Sequence, residues 1–354
     1  MLAFASLTRR GQLQRLRRLG RTALASYGVY DGQLTLLRHQ QNTTFKVEAR
    51  GGPFVLRINR PRVHTRETIG SEMAWLSALR RDTALGVPAP VAALDGSLAV
   101  VATDPSVPEE HVCVLLRRLD GRFVDQRLTP AHLHQVGLLQ AHLQKHAESW
   151  APPSRFLRPR VDTLTEAAKV DSMARCADSA RAVHYPTSED GDRARQLVEA
   201  LVSSDDAGLL DAALELVRAT TRKLAAGSGS FGLIHDDLHY ENVLFHRGAA
   251  QAIDFDDCGW GFHLYDLAVT LWELEGSATV RRAARRTPRG LCTGTPAGGR
   301  SHGSPPGDVC PPQDAELLWI LESREHTAFR EGWRAWAREE LDGLAAALKT
   351  PTLR

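Results

Sequence analysis

The sequence predicts an α+β protein of two lobes, a small antiparallel sheet with one helix followed by a mainly α-helical lobe. Three observations predict it. Residues 34–119 alternate apolar and polar in short runs, a single helical stripe interrupts them at 67–80, and beyond Asp120-Gly121 apolar residues recur at helical spacing. At 354 residues the chain also exceeds what one hydrophobic core usually serves.

Taking the elements in order, 9–21 is rich in Arg and carries Leu13, Leu16 and Leu19 at helical spacing, so residues 1–25 read as an N-terminal helical extension packed on its leucine stripe. In the first lobe, 26–119, alternating runs at 44–49, 54–58, 97–102 and 112–116 predict strands. Ile69, Met73, Leu76 and Leu79 predict the helix at 67–80, and Gly86-Val87-Pro88-Ala89-Pro90 ends the regular structure because proline lacks an N–H and fixes φ. In the second lobe, 120–354, stripes in 133–143, 209–224 and 264–274 predict helices. Between the last two, 242–245 and 251–255 predict a strand pair joined at His246-Arg247-Gly248. Residues 277–312 are dense in Arg, Gly, Pro, Ser and Thr with hardly an aliphatic residue to bury, so poor order is expected there. Helical spacing returns at Leu317, Leu318, Leu321, Phe329, Trp333 and Trp336, a pattern that a local insertion or frame change would leave.

Hydrophobic residues at 43% and charged residues at 24% are ordinary for a soluble globular protein. The formal net charge of +2 gives no overall field for nucleic acid or a membrane surface, so neither is expected as a partner. Five cysteines form no C-x-x-C pair, and their odd number argues against a disulfide framework, which suits a reducing cytosol. No apolar run approaches the roughly 20 residues of a membrane helix, and no basic stretch leads into an apolar leader, so export is not expected.

The chemistry concentrates in His235-Asp236-Asp237-Leu238-His239-Tyr240-Glu241-Asn242 and the following Asp254. Phosphoryl transfer needs an acceptor hydroxyl held in line, a carboxylate for its proton, and metal ions bridging the phosphates. The kinase catalytic loop supplies these as H-x-D-x-x-x-x-N, with a second Asp delivered by a strand to meet the same metal ions. His235, Asp237 and Asn242 reproduce the loop, and Asp254 after Gln251-Ala252-Ile253 stands where the second Asp is needed. In the first lobe, Glu72 falls on the apolar stripe with Ile69, Met73 and Leu76, where a carboxylate is costly unless a cation meets it. Arg57, alternating out of the more apolar face of Phe54, Leu56 and Ile58, is the natural partner.

Residues 234–245, Ala252-Ile253-Asp254-Phe255-Asp256 and Tyr265-Asp266-Leu267-Ala268 together resemble the signature of the aminoglycoside phosphotransferase family, which includes choline kinase-like and type II homoserine kinase-like enzymes. The resemblance implies a protein kinase-like fold with ATP and Mg2+ in the cleft between lobes and a small-molecule hydroxyl as acceptor. It implies Asp237 as catalytic base, Asn242 and Asp254 as Mg2+ ligands, and His235 and Asp266 as supports of the loop. In the first lobe it implies Arg57 and Glu72 in the role of the kinase Lys–Glu pair, Asn42 within Gln41-Asn42-Thr43-Thr44-Phe45 over the phosphates, and the backbone of Arg117 and Leu119 against adenine. Arg in place of Lys is a departure, although a guanidinium fork suits phosphate oxygens. The interval from Asp254 to Asp266 is too short for the activation segment of a protein kinase, which favours a small acceptor over a protein. Trp260, Asp257 and His263 in that interval are candidates for the acceptor pocket.

Three other readings remain open at the level of sequence. A protein Ser/Thr kinase of the same fold is one. A metal-dependent hydrolase is another, because His235 and His239 have a spacing that places two imidazoles on one metal when they share a helix face. A non-catalytic nucleotide-binding protein is the third, since 277–312 interrupts the region where the resembled family builds its acceptor side.

Overall fold

The structure, a computed structural model, describes residues 4, 7–40, 42–61, 65–124, 128–160, 188–203, 208–212, 215, 231–272, 321, 334–338 and 341–342. The expectations for 209–224 in the main and for 277–312 altogether lie outside these residues. The chain divides into two compact units, Met1–Gly121 with Pro152–Leu157, and Arg122–Ala151 with Arg158–Arg354.

The first unit begins with helix α1, Arg9–Ser26, capped by the Thr8 hydroxyl, which accepts from the Gly11 amide. Gly28 ends it in the left-handed region at φ 70°, and the amide of Val29 reaches back to the Leu24 carbonyl, a termination that a side chain at 28 would strain. Leu16, Leu19, Ala23 and Leu24 are buried in one core with Phe45, Val47, Phe54, Leu56 and Ile58. The segment read as an extension thus supplies part of this unit's core. Gly20 lets the helix sit close, for a Cβ there would stand 3.1 Å from Leu56 Cδ2.

Beneath α1 lies a six-stranded sheet of β1 Gln33–His39, β2 Thr43–Ala49, β3 Gly52–Ile58, β4 Ala89–Pro90, β5 Val100–Ala102 and β6 His111–Arg117. The order is β1-β2-β3-β6-β4, with β5 also pairing β6, and every pairing is antiparallel. Alternation in β2 buries Thr43, Phe45 and Val47. Helix α2, Arg66–Asp82, starts with a Thr65–Thr68 capping box and buries Ile69, Met73, Trp75, Leu76 and Leu79, each side chain of that size stabilising by about 1.5–3 kcal/mol. Its Ser71 hydroxyl accepts from the Leu157 amide at 2.8 Å, which ties the returning segment Pro152–Leu157 to this unit.

In the second unit, α3 Pro130–Ser149 starts at Thr129 with Pro130 in its first turn and buries Val136, Leu139, Gln140, Leu143 and Ala147. Helix α4 spans Ser188–Leu201. Strand β7, Phe231–Ile234, leads into the loop that starts at His235, a 3-10 turn at Tyr240–Asn242 and the hairpin of β8, Val243–His246, with β9, Ala249–Ala252. Arg247 and Gly248 form the hairpin turn with φ of 50° and 84°, the two positive values that a twisted two-residue turn requires. The second strand ends at Ala252, short of the expected 255, because Asp254 takes a left-handed backbone at φ 64° that no strand continues through. Strand β10, Gly259–Phe262, then pairs antiparallel with β7, and helix α5, His263–Trp272, follows. Loop and hairpin are therefore bracketed by two strands that pair with each other.

Candidate active site

Asp237 lies between a buried residue, Asp236, and another, Leu238. Its own side chain is 39% exposed. Asn242 Nδ2 donates to Asp237 Oδ2 at 2.7 Å and to the Asp237 carbonyl at 2.9 Å, so the amide oxygen of Asn242 is turned away from Asp237. His239 Nε2 stands 3.5 Å from the same Oδ2. The 3-10 turn that closes the loop, with the Asn242 amide on the His239 carbonyl at 3.0 Å, brings Asn242 back to Asp237. Asp254 follows through the backbone, because the Ile253 amide donates to the Asn242 carbonyl at 2.9 Å. The loop, the hairpin end and the left-handed turn thus gather Asp237, Asn242 and the residue before Asp254.

His235 is fully buried and both of its ring nitrogens are engaged. The Asp237 amide can only donate, at 3.3 Å, so Nδ1 accepts; Nε2 carries the hydrogen and donates to the Ile253 carbonyl at 3.1 Å. Burial lowers its pKa to about 4, in keeping with this neutral tautomer. The metal-hydrolase reading loses its basis here, since His235 and His239 lie in a loop and the His235 ring already joins the two halves of the site.

Asp266, in the first turn of α5 and 1% exposed, accepts from the His235 amide at 3.0 Å and from the Asp236 amide at 2.7 Å. Burial raises its pKa to about 6, while the two amides pull the other way. Asp236 has φ 73°, so the peptides on which Asp266 acts are ones the chain would not adopt unaided. Three further residues hold this region and carried no sequence signal. Gln140 of α3 donates to Thr270 of α5 at 2.9 Å and Thr270 donates to the loop at the Leu238 carbonyl, while Arg158, wholly buried, donates to the Asp256 and Cys258 carbonyls just beyond Asp254. Polar residues at isolated positions show no period from which burial could be read.

Of the acceptor-pocket candidates, Trp260 and His263 are buried and Asp257 is exposed. Trp260 stands opposite Leu233 in the β7–β10 ladder, and its amide donates to the Pro159 carbonyl at 2.8 Å. His263 lies over Gly232, where a Cβ would fall 2.6 Å from its Nε2.

In the first unit the expected ion pair is present: Arg57 Nη2 donates to Glu72 Oε2, with the side chains 2% and 0% exposed. Arg57 stands opposite Thr44 on β2 and Val114 on β6, on the sheet face opposite Leu56 and Ile58. Asn42 ends the turn between β1 and β2, just before Thr43; its Oδ1 accepts from the Arg60 amide at 3.0 Å and its carbonyl from the Gln40 amide at 3.1 Å. Arg117 closes β6 between Phe54 and Ala89, and its guanidinium lies 4.6 Å from the Phe54 ring centre and donates to the Gly51 carbonyl at 2.6 Å. Leu119 lies two residues past the strand end, half-buried.

For a divalent metal, an amide oxygen from Asn242 together with the carboxylate of Asp254 would make a hard oxygen set of the kind Mg2+ takes, and the bonds of Asn242 Nδ2 to Asp237 leave that oxygen for the purpose.

A small sheet with a buried Arg–Glu pair, and a loop with a carboxylate, an amide and a further Asp just past a hairpin strand, braced from a helix, are the features of a kinase-like phosphotransferase. Residues 33–302 match the model of the phosphotransferase enzyme family, APH, and the chain belongs to that family. An uncharacterized protein of Deinococcus radiodurans is 30% identical over 261 residues, 72% of this chain and 67% of that protein, so the chain spans about two thirds of that relative. Among solved structures, a microcompartment-associated aminopropanol kinase is similar with a TM-score of 0.67 at 25% identity, covering 94% of this chain and 95% of that one. The amicoumacin kinase hAmiN, in complex with AMP-PNP, Ca2+ and Ami, has a TM-score of 0.69 at 16% identity, covering 98% and 97%. The two-lobe α+β fold and the phosphotransferase class read from sequence are both met. No described helix is long and apolar enough to cross a membrane.

Proposed function

We propose that this enzyme transfers the γ-phosphoryl group of ATP to the hydroxyl of a small molecule, with Asp237 as base and Mg2+ held by Asn242 and Asp254. The observation that supports the reading is the pair of hydrogen bonds from Asn242 Nδ2 to Asp237, which hold the carboxylate and leave the Asn242 amide oxygen for a metal ion. Asp237 Oδ2 is occupied by Asn242, so its half-exposed carboxylate takes the acceptor proton through Oδ1. As that O–H bond breaks, the hydroxyl oxygen bonds to the γ-phosphorus and the bond to the β,γ-bridging oxygen breaks, releasing ADP. Mg2+, when bound, neutralises charge on the phosphates.

The first unit, taken as the nucleotide-binding lobe 26–119, contributes Arg57, held by Glu72, to the phosphates, backbone amides near Asn42 above them, and the backbone of Arg117 and Leu119 to adenine. The second, 120–354, contributes base, metal ligands and acceptor contacts. Among homoserine-, choline- and aminoglycoside-like acceptors, amino alcohols rank first, because the aminopropanol kinase is the more alike in sequence of the two solved structures compared. The buried Cys113 and Cys258, neither of them in a disulfide, suit a reducing cytoplasm.

Mg2+-dependent ADP release measured over a panel of amino alcohols and aminoglycosides tests the proposal. At least one acceptor is expected to raise the rate well above ATP hydrolysis. Asp237→Asn should lower kcat by roughly a hundred- to ten-thousandfold with ATP still bound. Wild-type kcat in that variant removes Asp237 from the mechanism.

A further inference from the structure

We propose that Thr270 is a positioning residue for phosphoryl transfer, acting with Gln140 to hold the peptide on the C-terminal side of Asp237. The inference rests on Asp237 as the base. Thr270 Oγ1 donates to the Leu238 carbonyl at 2.6 Å, and Gln140 Nε2 lies 2.9 Å from that hydroxyl and 2.8 Å from the Asp266 carbonyl. The chemistry fixes the direction of every bond. The Asp266 carbonyl can only accept, so the amide nitrogen of Gln140 faces it and the same nitrogen donates to Thr270. A hydroxyl has one hydrogen; Thr270 accepts from Gln140 and spends that hydrogen on Leu238, leaving the 3.2 Å approach to the Asp266 carbonyl secondary.

All three side chains are buried, Leu238 completely, so this relay is shielded from water. Asp266 and Thr270 are four residues apart on α5 and share a face. The carboxylate grips the amides of His235 and Asp236, the hydroxyl grips the carbonyl of Leu238, and the residue between the two grips is Asp237. Its side chain is half-exposed, so its placement depends on a backbone held from both sides. One face of one helix therefore sets the base, and Gln140 locks that face from α3. Displacing a reacting group by about 1 Å costs up to about a hundredfold in rate.

Thr270→Val keeps the shape and deletes the hydroxyl, while Thr270→Ser keeps the hydroxyl. With each variant assayed well below its own Tm, Thr270→Val should lose about ten- to a hundredfold in kcat with the KM for ATP within twofold, and Thr270→Ser should recover most of it. Amides of 237–239 should exchange faster in the Val variant, a change that a purely structural role elsewhere in α5 would not confine to this loop. Wild-type kcat in folded Thr270→Val, or an equal loss in Thr270→Ser, overturns the proposal. If Thr270→Val does not fold, Gln140→Met carries the same test, with a smaller loss in kcat expected and a wild-type kcat again decisive against it. Asp237→Asn is run beside them: if it stays active, the base assignment falls and this proposal with it, whereas an inactive Asp237→Asn with a fully active Thr270→Val removes Thr270 alone.

Discussion

The two units place their polar groups by opposite means. In the first, Arg57 and Glu72 meet side chain to side chain, both withdrawn from water, so each charge is met by the other. In the second, Asp266, Thr270, Asn242 and His235 bond mainly to backbone, and the grip on the loop is shared among several contacts. A paired charge is strong and brittle, whereas a distributed grip on main-chain groups yields in steps. The first arrangement suits a group that must present one fixed charge, the second a carboxylate, that of Asp237, whose placement depends on peptides the chain would not otherwise adopt.

The sharpest way to break this contrast is at the pair. Glu72→Ala removes the carboxylate that meets a buried guanidinium and should cost about 3–5 kcal/mol, read as a fall in the urea midpoint. Replacing both, Arg57→Met with Glu72→Leu, should return most of that stability without returning phosphoryl transfer; a double variant as unstable as the single one would contradict the brittleness. Next in size is the acid response of the second unit. His235 titrates lower in the fold than its usual 6.5, so its contribution is lost as pH falls from about 6.5 to about 4. Asp266 titrates higher than its usual 3.8, so its contribution is lost as pH rises through about 6. Between about pH 4 and 6 the two oppose each other, and the stability owed to them should be nearly flat. Asp266→Asn removes one side, and denaturation across this range should then show stability falling toward acid more steeply than in the wild type, by up to about 1.4 kcal/mol per pH unit. An unchanged slope would remove the opposition. Smallest is Gly248→Ala in the hairpin turn, where φ of 84° should cost about 1 kcal/mol and lower Tm by a few degrees with kcat intact.

Periodic features were legible in the sequence. The stripe of α2 and the alternation of β2 and β3 located those elements to within two residues, and the stripe at 133–143 located the middle of α3, because each buries one face. Glu72 was legible for the converse reason: a carboxylate on an apolar stripe demands a cation, and Arg57 was the candidate in reach. The loop was legible through spacing that the chemistry itself requires. Gly259–Phe262 was not, since Gly-Trp-Gly-Phe alternates no polarity and is buried at every position. Its strand character comes from pairing with β7, a contact remote in sequence. Arg158, Gln140 and Thr270 were hidden for a related reason, because their partners are carbonyl groups, which every residue has.

The pairing of β7 with β10 has a consequence for how this enzyme can be altered. The segment 235–258 leaves and re-enters the unit side by side, through a ladder in which Ile234 faces Gly259. It is therefore a cassette with adjacent ends, and its length can change at the Arg247-Gly248 tip without moving its anchors. Exchange of the whole segment between family members, joined at 234 and 259, would transplant the loop with Asp237 and Asn242, the hairpin and Asp254 as one piece, with Asp266, Gln140 and Thr270 as the socket that receives it.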